Sequence, residues 1–175
     1  ILNNKALLLS AYDARSHKLW RQRVVSMFPE IHWKQLALPP RNFSWRIRSN
    51  SLYWASYNRN EICAAYDFLL ATSMTDLSSL RGLVPQLSRV PTIVYFHENQ
   101  FAYPSNKQQE ESRKTINIEP LLVPIYTALC ADKIVFNTIF NKSTFIEGAM
   151  NLFNILPDKF PSSIIEKLER AVVVP

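Results

Sequence analysis

The sequence predicts an α/β domain, a mostly parallel sheet with helices on both faces. Three observations lead there. Short apolar runs of strand type alternate with segments of helical periodicity along the chain, and strands joined by helix-length crossovers pair in parallel. The 175 residues suffice for one core and not comfortably for two. With 47% hydrophobic and 19% charged residues the chain is too apolar for disorder, yet no apolar run approaches the ~18 residues of a membrane span. No repeat or linker divides it, so residues 1–175 read as a single domain.

Lys5 to Ala11 is an apolar run suited to a strand buried on both faces. Ser16 is placed to cap a helix whose apolar positions Trp20, Val24, Met27 and Phe28 recur at helical spacing until Pro29. Trp33 to Leu38 alternates as a second strand and stops at Pro39-Pro40. An aromatic-rich stretch from Arg41 to Trp45 leads into a helix over about Ile47 to Ala65. Phe68 to Thr72 is a third strand, followed by a helix over Leu77 to Leu83 with Asp76 as its cap. Thr92 to Phe96, rich in β-branched and aromatic residues, is a fourth strand.

Residues 105–115 are polar and read as a mobile loop or lid. Helical spacing returns from Ile118 to Leu129, with Pro120 suited to the first turn and Pro124 expected to kink the helix or delay its start. Lys133 to Asn137 is a fifth strand and Phe140 to Asn151 a helix. Ser163 and Glu166 have the spacing of a capping box opening a last helix, and Val172 to Val174 is a final extended piece.

Composition excludes several function classes. Only two glycines are present, Gly82 and Gly148, so neither the phosphate-cradling loop with two glycines before Lys nor the three-glycine dinucleotide fingerprint can form. Cys63 and Cys130 make no metal or redox pair and read as reduced thiols of a cytoplasmic protein. His17, His32 and His97 show no ligand spacing, so no metal is expected. The run Ala6 to Ala11 is followed by Tyr12, Asp13 and Arg15 rather than a cleavage site, which argues against a secretory leader. Net charge is +6, and residues 1–60 hold ten basic residues against two acidic ones. This positive third points to a polyanion, with nucleic acid first among the candidates; the alternative is a set of basic helices that merely face water.

In a parallel sheet the ligand crevice lies beyond the carboxyl ends of the strands. Three polar clusters follow strands there: Tyr12 to His17, His97-Glu98-Asn99-Gln100 continuing to Tyr103, and Asn137-Thr138 with Asn141 one turn on. Four consecutive hydrogen-bonding side chains are a poor way to build a core. His97 therefore reads as the catalytic group, orienting or handling a proton, and Glu98, Asn99 and Gln100 as partners for substrate hydroxyls. The alternative for this run is a strand-end turn capping nearby backbone. A Ser16-His97-Asp132 triad lacks the strand–turn elbow that such a nucleophile needs. Within the basic third, Phe43-Ser44-Trp45-Arg46-Ile47-Arg48 interleaves rings that stack on bases with guanidinium groups that pair with phosphate.

At these residues a family resemblance emerges. Tyr95-Phe96-His97-Glu98-Asn99-Gln100, continued by Tyr103-Pro104, resembles the YFHENQ...YP signature of the tRNA-queuosine α-mannosyltransferases, earlier known as glycosyltransferase-like domain-containing proteins. Ser16-His17-Lys18 is similar to the family's S-H-K, and Trp45-Arg46-x-Arg48 before Ser51-Leu52-Tyr53 to its W-R-x-R...S-A-L-Y. Ala131-Asp132, Val135-Phe136-Asn137 and Phe140-Asn141 resemble its A-D-x-x-V-F-N-S-x-F-N, and Leu156-Pro157-Asp158 its L-I-P-D. There are two departures. Ala14-Arg15 stand where the family has Gly-Gly, and Glu119-Pro120-Leu121-Leu122 where it has a Q-Y-G-Y-like segment.

The resemblance implies a Rossmann-like fold forming the N-terminal, acceptor half of a two-domain GT-B glycosyltransferase, with the donor domain outside this chain. It implies transfer of mannose from GDP-mannose to queuosine in the anticodon of tRNA-Asp, with retention and without a metal or resident cofactor. His97, Ser16, His17, Glu98, Asn99, Gln100, Tyr103, Asn137 and Asn141 would then line the active site. Lys18, Trp45, Arg46 and Arg48 would hold RNA. The implied partners are tRNA and a sugar nucleotide in the cytoplasm, with no membrane and no obligate protein partner. Two other readings stay open: a non-catalytic RNA- or nucleotide-binding module, and a transferase with another acceptor.

Overall fold

The computed structural model describes residues 4–102 and 118–175. In chain order the elements are β1 Lys5–Ser10, α1 Arg15–Met27, β2 His32–Ala37, α2 Phe43–Tyr57, α3 Arg59–Ile62, β3 Phe68–Thr72, α4 Leu77–Leu83, β4 Thr92–Phe96, α5 Glu119–Cys130, β5 Lys133–Phe136, α6 Ile139–Ile155, α7 Ser163–Glu169 and β6 Val172–Val173. Short 3-10 turns occupy Pro85–Arg89 and Gln100–Ala102. All six strands are parallel, in the order β2-β1-β3-β4-β5-β6. The strand order turns back at β1, so a crevice opens at the carboxyl ends of β1 and β3, the position such sheets offer to ligands. The α/β, Rossmann-like expectation is met.

The two faces of the sheet are unequal. One carries the main core, where Ile47 and Trp54 of α2, Leu77 and Leu80 of α4, Val123 and Ala128 of α5, Phe145 and Leu152 of α6 and Leu168 of α7 pack on Leu7, Leu69 and Phe96. The stacked rings of Phe96 and Phe136, 4.6 Å apart, meet Phe145 there. Burying one such ring contributes about 1.5–3 kcal/mol. The other face holds Leu8, Leu70, Tyr95 and Val135, against which α1 lays Trp20, Val24 and Val25. Tyr95 crosses this face to donate from its hydroxyl to the Val174 carbonyl at 2.9 Å.

Several local expectations need correction. Ser16 does not cap α1, because the helix starts at Arg15 with Ala14 at the cap position and no side-chain cap bond. Trp20 and Val24 face the sheet, whereas Met27 and Phe28 are exposed, since the cluster under α1 is too small to cover its last turn. The helix expected over Ile47 to Ala65 begins at Phe43 and breaks at Asn58 into α2 and α3. α5 continues through Pro124; the bond that proline forfeits is to the carbonyl of Pro120 in the first turn, where the amides of Leu121 and Leu122 already hold Ile118. The capping box is not made, as α7 starts at Ser163 and it is Ser162 Oγ that meets Glu166 Oε1, at 3.0 Å. Cys63 is a free thiol on the surface. Asp76 does cap α4, accepting from the Ser79 amide. The expected loop at residues 105–115 lies outside the described residues.

Candidate active site

The carboxyl ends of β1, β4 and β5 bring the three polar clusters together. Along β4, alternation sends Phe96 into the main core and Tyr95 and His97 towards α1. There His97 sits in an aromatic cage. Its ring centroid is 4.4 Å from that of His17, 4.6 Å from Trp20 and 4.8 Å from Tyr95. His17 lies in the first turn of α1 and is 1% exposed. The Tyr12 carbonyl lies 2.6 Å from its Nδ1, and a carbonyl can only accept, so that nitrogen carries a proton and donates it to Tyr12. The Nε2 atoms of His17 and His97 are both buried and without a hydrogen-bond partner. Buried nitrogens without partners are uncommon in a core and mark a place where polar chemistry is held ready.

Burial, and secondarily the neighbouring His17, push the His97 imidazole down to about 3. It is therefore neutral near pH 7, able to accept or donate a hydrogen bond but carrying no charge. The unfolded chain takes up that proton below its ordinary value of 6.5, the folded chain only near 3. Between those values the unfolded state binds more protons, so the stability tied to His97 is full above pH 6.5 and declines as pH falls towards 3. Thermal melts of the full-length protein should fall more steeply for wild type than for His97→Phe between about pH 7 and pH 5. Parallel curves would contradict the neutral, caged imidazole.

The loop after His97 is fixed from below by an asparagine network. Asn99 Nδ2 donates to Asn141 Oδ1 at 2.6 Å, to the Asn141 carbonyl and to Thr144 Oγ1, while its Oδ1 accepts the amides of Phe101 and Ala102. Asn141 Nδ2 donates to the Phe96 carbonyl at 2.9 Å and to Asn137 Oδ1 at 2.8 Å. Asn137 Nδ2 in turn donates to the His97 carbonyl at 2.7 Å. Asn99 and Asn141 are buried. Contrary to the sequence reading, their side chains are spent holding the loop instead of facing a substrate. Asn137 is half-buried and ties the ends of β4 and β5 together.

Phe101 completes this support by packing on Phe145 at 5.7 Å. The approach requires Gly148, where a Cβ would overlap Phe101 at its own Cβ and Cγ, atoms too close to the backbone to swing aside. Gly148→Ala is expected to cost about 1–3 kcal/mol and displace the Gln100–Ala102 turn. Gly82→Ala, at an open position in α4, should instead gain about 0.5–1 kcal/mol. Melting temperatures that shift in the same direction for both would contradict this assignment.

The remaining predicted residues fall as follows. Glu98 and Gln100 are half-buried at the same strand end, Gln100 Nε2 lying 4.0 Å from Met74 Sδ. Ser16 and Lys18 are exposed on α1. Tyr103 lies outside the described residues. Arg48 is not free for RNA, because it pairs with Asp76 at 2.8 Å and with Glu119 at 3.0 Å. Trp45 is exposed and Arg46 half-buried on the outer side of α2. Asp132 sits at the opposite end of the sheet, bonded to the Thr92 amide, which removes it from any triad with His97. Asp13 is held by a two-point ion pair with Arg21. Among the described residues no group of three or more His, Cys, Asp or Glu gathers as metal ligands, and no helix is long and apolar enough to cross a membrane. A cavity of about 630 Å³ between Lys5, His32 and Tyr66 lies at the amino end of the strands, remote from this site.

Sequence reasoning missed Trp20 and Tyr95 as walls of the cage, and Thr144 and the Phe101–Gly148 contact as supports. A lone glycine inside a helix and a threonine one turn after Asn141 were the available signals.

Comparison with known proteins bears on the same residues. No solved structure matches the chain. Six curated proteins match in sequence. One is a Drosophila melanogaster protein named tRNA-queuosine alpha-mannosyltransferase, 29% identical over 165 residues, which are 94% of this chain and 42% of the relative. This chain thus spans less than half the length of that protein. A family model described as tRNA-queuosine alpha-mannosyltransferase N-terminal matches residues 5–175, a span that includes the histidine cage, the asparagine network and all six strands. The chain therefore belongs to the tRNA-queuosine alpha-mannosyltransferase N-terminal family.

Proposed function

We propose that this chain is the acceptor-side domain of a retaining glycosyltransferase that moves mannose from GDP-mannose to queuosine in the anticodon of a cytoplasmic tRNA-Asp. The observation that carries the reading is the coincidence of the family match with the site. The signature run Tyr95 to Gln100 falls at the carboxyl end of β4, where His97 and His17 present two unpartnered nitrogens. Donor binding is assigned to a second domain of GT-B type outside this chain, in keeping with the greater length of the fly relative.

In this reading the neutral His97 hydrogen-bonds the reacting hydroxyl or the sugar and fixes its orientation; a charged imidazolium in so buried a place would be costly. His17, held by Tyr12, keeps the imidazole in place. Ser16, Glu98, Gln100 and Asn137 line the approach, and Lys18, Trp45 and Arg46 contact the RNA from the basic third. Neither a resident metal nor a cofactor has a part in this scheme. Nucleoside mass spectrometry of total tRNA from cells lacking the gene tests the assignment. Loss of mannosyl-queuosine with accumulation of queuosine is expected, and unchanged mannosyl-queuosine would rule it out.

A further inference from the structure

The outer face of α2 carries a groove that the crevice does not use. Trp45, Ser49, Tyr53 and Tyr57 recur every fourth residue and form one ridge along about three turns of the helix. Together with Arg41 and Arg46 they line a cavity of about 600 Å³ that has no acidic residue in its wall. Trp45 is 64% and Tyr57 76% exposed, an unusual amount of aromatic surface to leave in water on one helix face. Tyr53 and Tyr57 lie 4.8 Å apart, and the Arg46 guanidinium stands 6.0 Å over the Tyr53 ring.

Two polar atoms point to a ligand. Ser49 is only 7% exposed, yet its hydroxyl has no hydrogen-bond partner. Its neighbour Ser51 shows the ordinary alternative, donating back to the Arg48 carbonyl. Arg46 Nε is likewise buried and unpartnered. Rings for a planar group, a guanidinium for an anion and a buried hydroxyl thus share one cavity in the most basic part of the chain.

We propose that this groove holds one unpaired nucleotide of RNA, with its base against Trp45 or Tyr57, its phosphate at Arg46 and Arg41, and a base or ribose group at Ser49. The helix that carries the groove starts beside the active site. Phe43, in the first turn of α2, packs edge-on against Tyr12 at 5.6 Å, and the Tyr12 carbonyl is the partner of His17. A strand leaving the crevice would pass the start of α2, and the nucleotide held in the groove belongs to the same RNA as the modified one. The proposal rests on the reading of the acceptor as RNA.

The test uses the full-length protein with two probes, queuosine-containing tRNA and a short unstructured RNA oligonucleotide. Trp45→Ala and Tyr57→Ala remove exposed rings and should leave the fold intact. Each is expected to weaken oligonucleotide binding by roughly 5- to 100-fold and to raise KM for tRNA while leaving KM for GDP-mannose unchanged. Arg46→Gln should reduce the slope of log affinity against log salt by about 0.7, one phosphate of a single strand. If wild type binds tRNA and both ring variants bind it equally well, the groove proposal is overturned and the acceptor reading stands. If wild type binds neither probe, the acceptor reading fails first and takes the groove with it.

Discussion

Full-length protein carrying His97→Ala is expected to lose about 10²–10⁴-fold of its transfer rate, the range a positioned acid, base or orienting group supplies. The fold should survive. Its backbone carbonyl accepts from Asn137 Nδ2, a bond that the substitution does not touch. The ring itself contributes contacts with Trp20, Tyr95 and His17, and their loss lowers stability without touching the asparagine network. His97→Phe separates the two effects. A phenyl ring refills the cage but offers no nitrogen, so at pH 7 and above this variant should match wild type in thermal stability and the alanine variant in rate. Near-normal turnover by His97→Phe would show that the nitrogen is not used.

Asn141→Asp should do the opposite, damaging the scaffold first. Asn141 is buried and gives both amide hydrogens to oxygen acceptors, the Phe96 carbonyl and Asn137 Oδ1. A carboxylate of the same shape has nothing to donate and would face two oxygens in a buried place. An uncompensated buried charge costs about 3–5 kcal/mol, which should appear as a large drop in melting temperature. Transfer should fall with it, because Asn137 and Asn99 hold the chain on either side of Glu98 through Asn141. A variant as stable as wild type would mean that the network does not support this loop.

The contrast between these residues shows what a sequence makes legible. β3 and β4 were readable to the residue because each is a short apolar run bounded by polar signals, and the Asp76 cap followed from local spacing. The convergence of the three clusters was also readable, since parallel topology alone sends those segments to one end. Pairings between distant segments were not. Asn99 and Asn141 look as available for substrate as any asparagine until the bond between them is seen. Arg48 counts as basic in composition, yet Asp76 and Glu119 occupy its guanidinium.

The same limit applies to glycine. Gly148 matters because of Phe101, far away in sequence, whereas Ala14-Arg15, where the resemblance implies a glycine pair, fold without strain. Ala14 sits at φ −60° and ψ 167°, a conformation open to any residue. The only described non-glycine residues with positive φ are Asn4 and Asn42. Ala14-Arg15 therefore alters what the loop presents, not how it folds.

The most direct measurement is a transfer assay with purified full-length protein, GDP-mannose and queuosine-containing tRNA-Asp, read by mass spectrometry of the digested nucleosides. One hexose on queuosine, absent when GDP-mannose is left out and strongly reduced in His97→Ala, is the result predicted for a mannosyl-transfer site at the carboxyl ends of β1, β4 and β5. Unmodified queuosine in the presence of active, folded protein would contradict it.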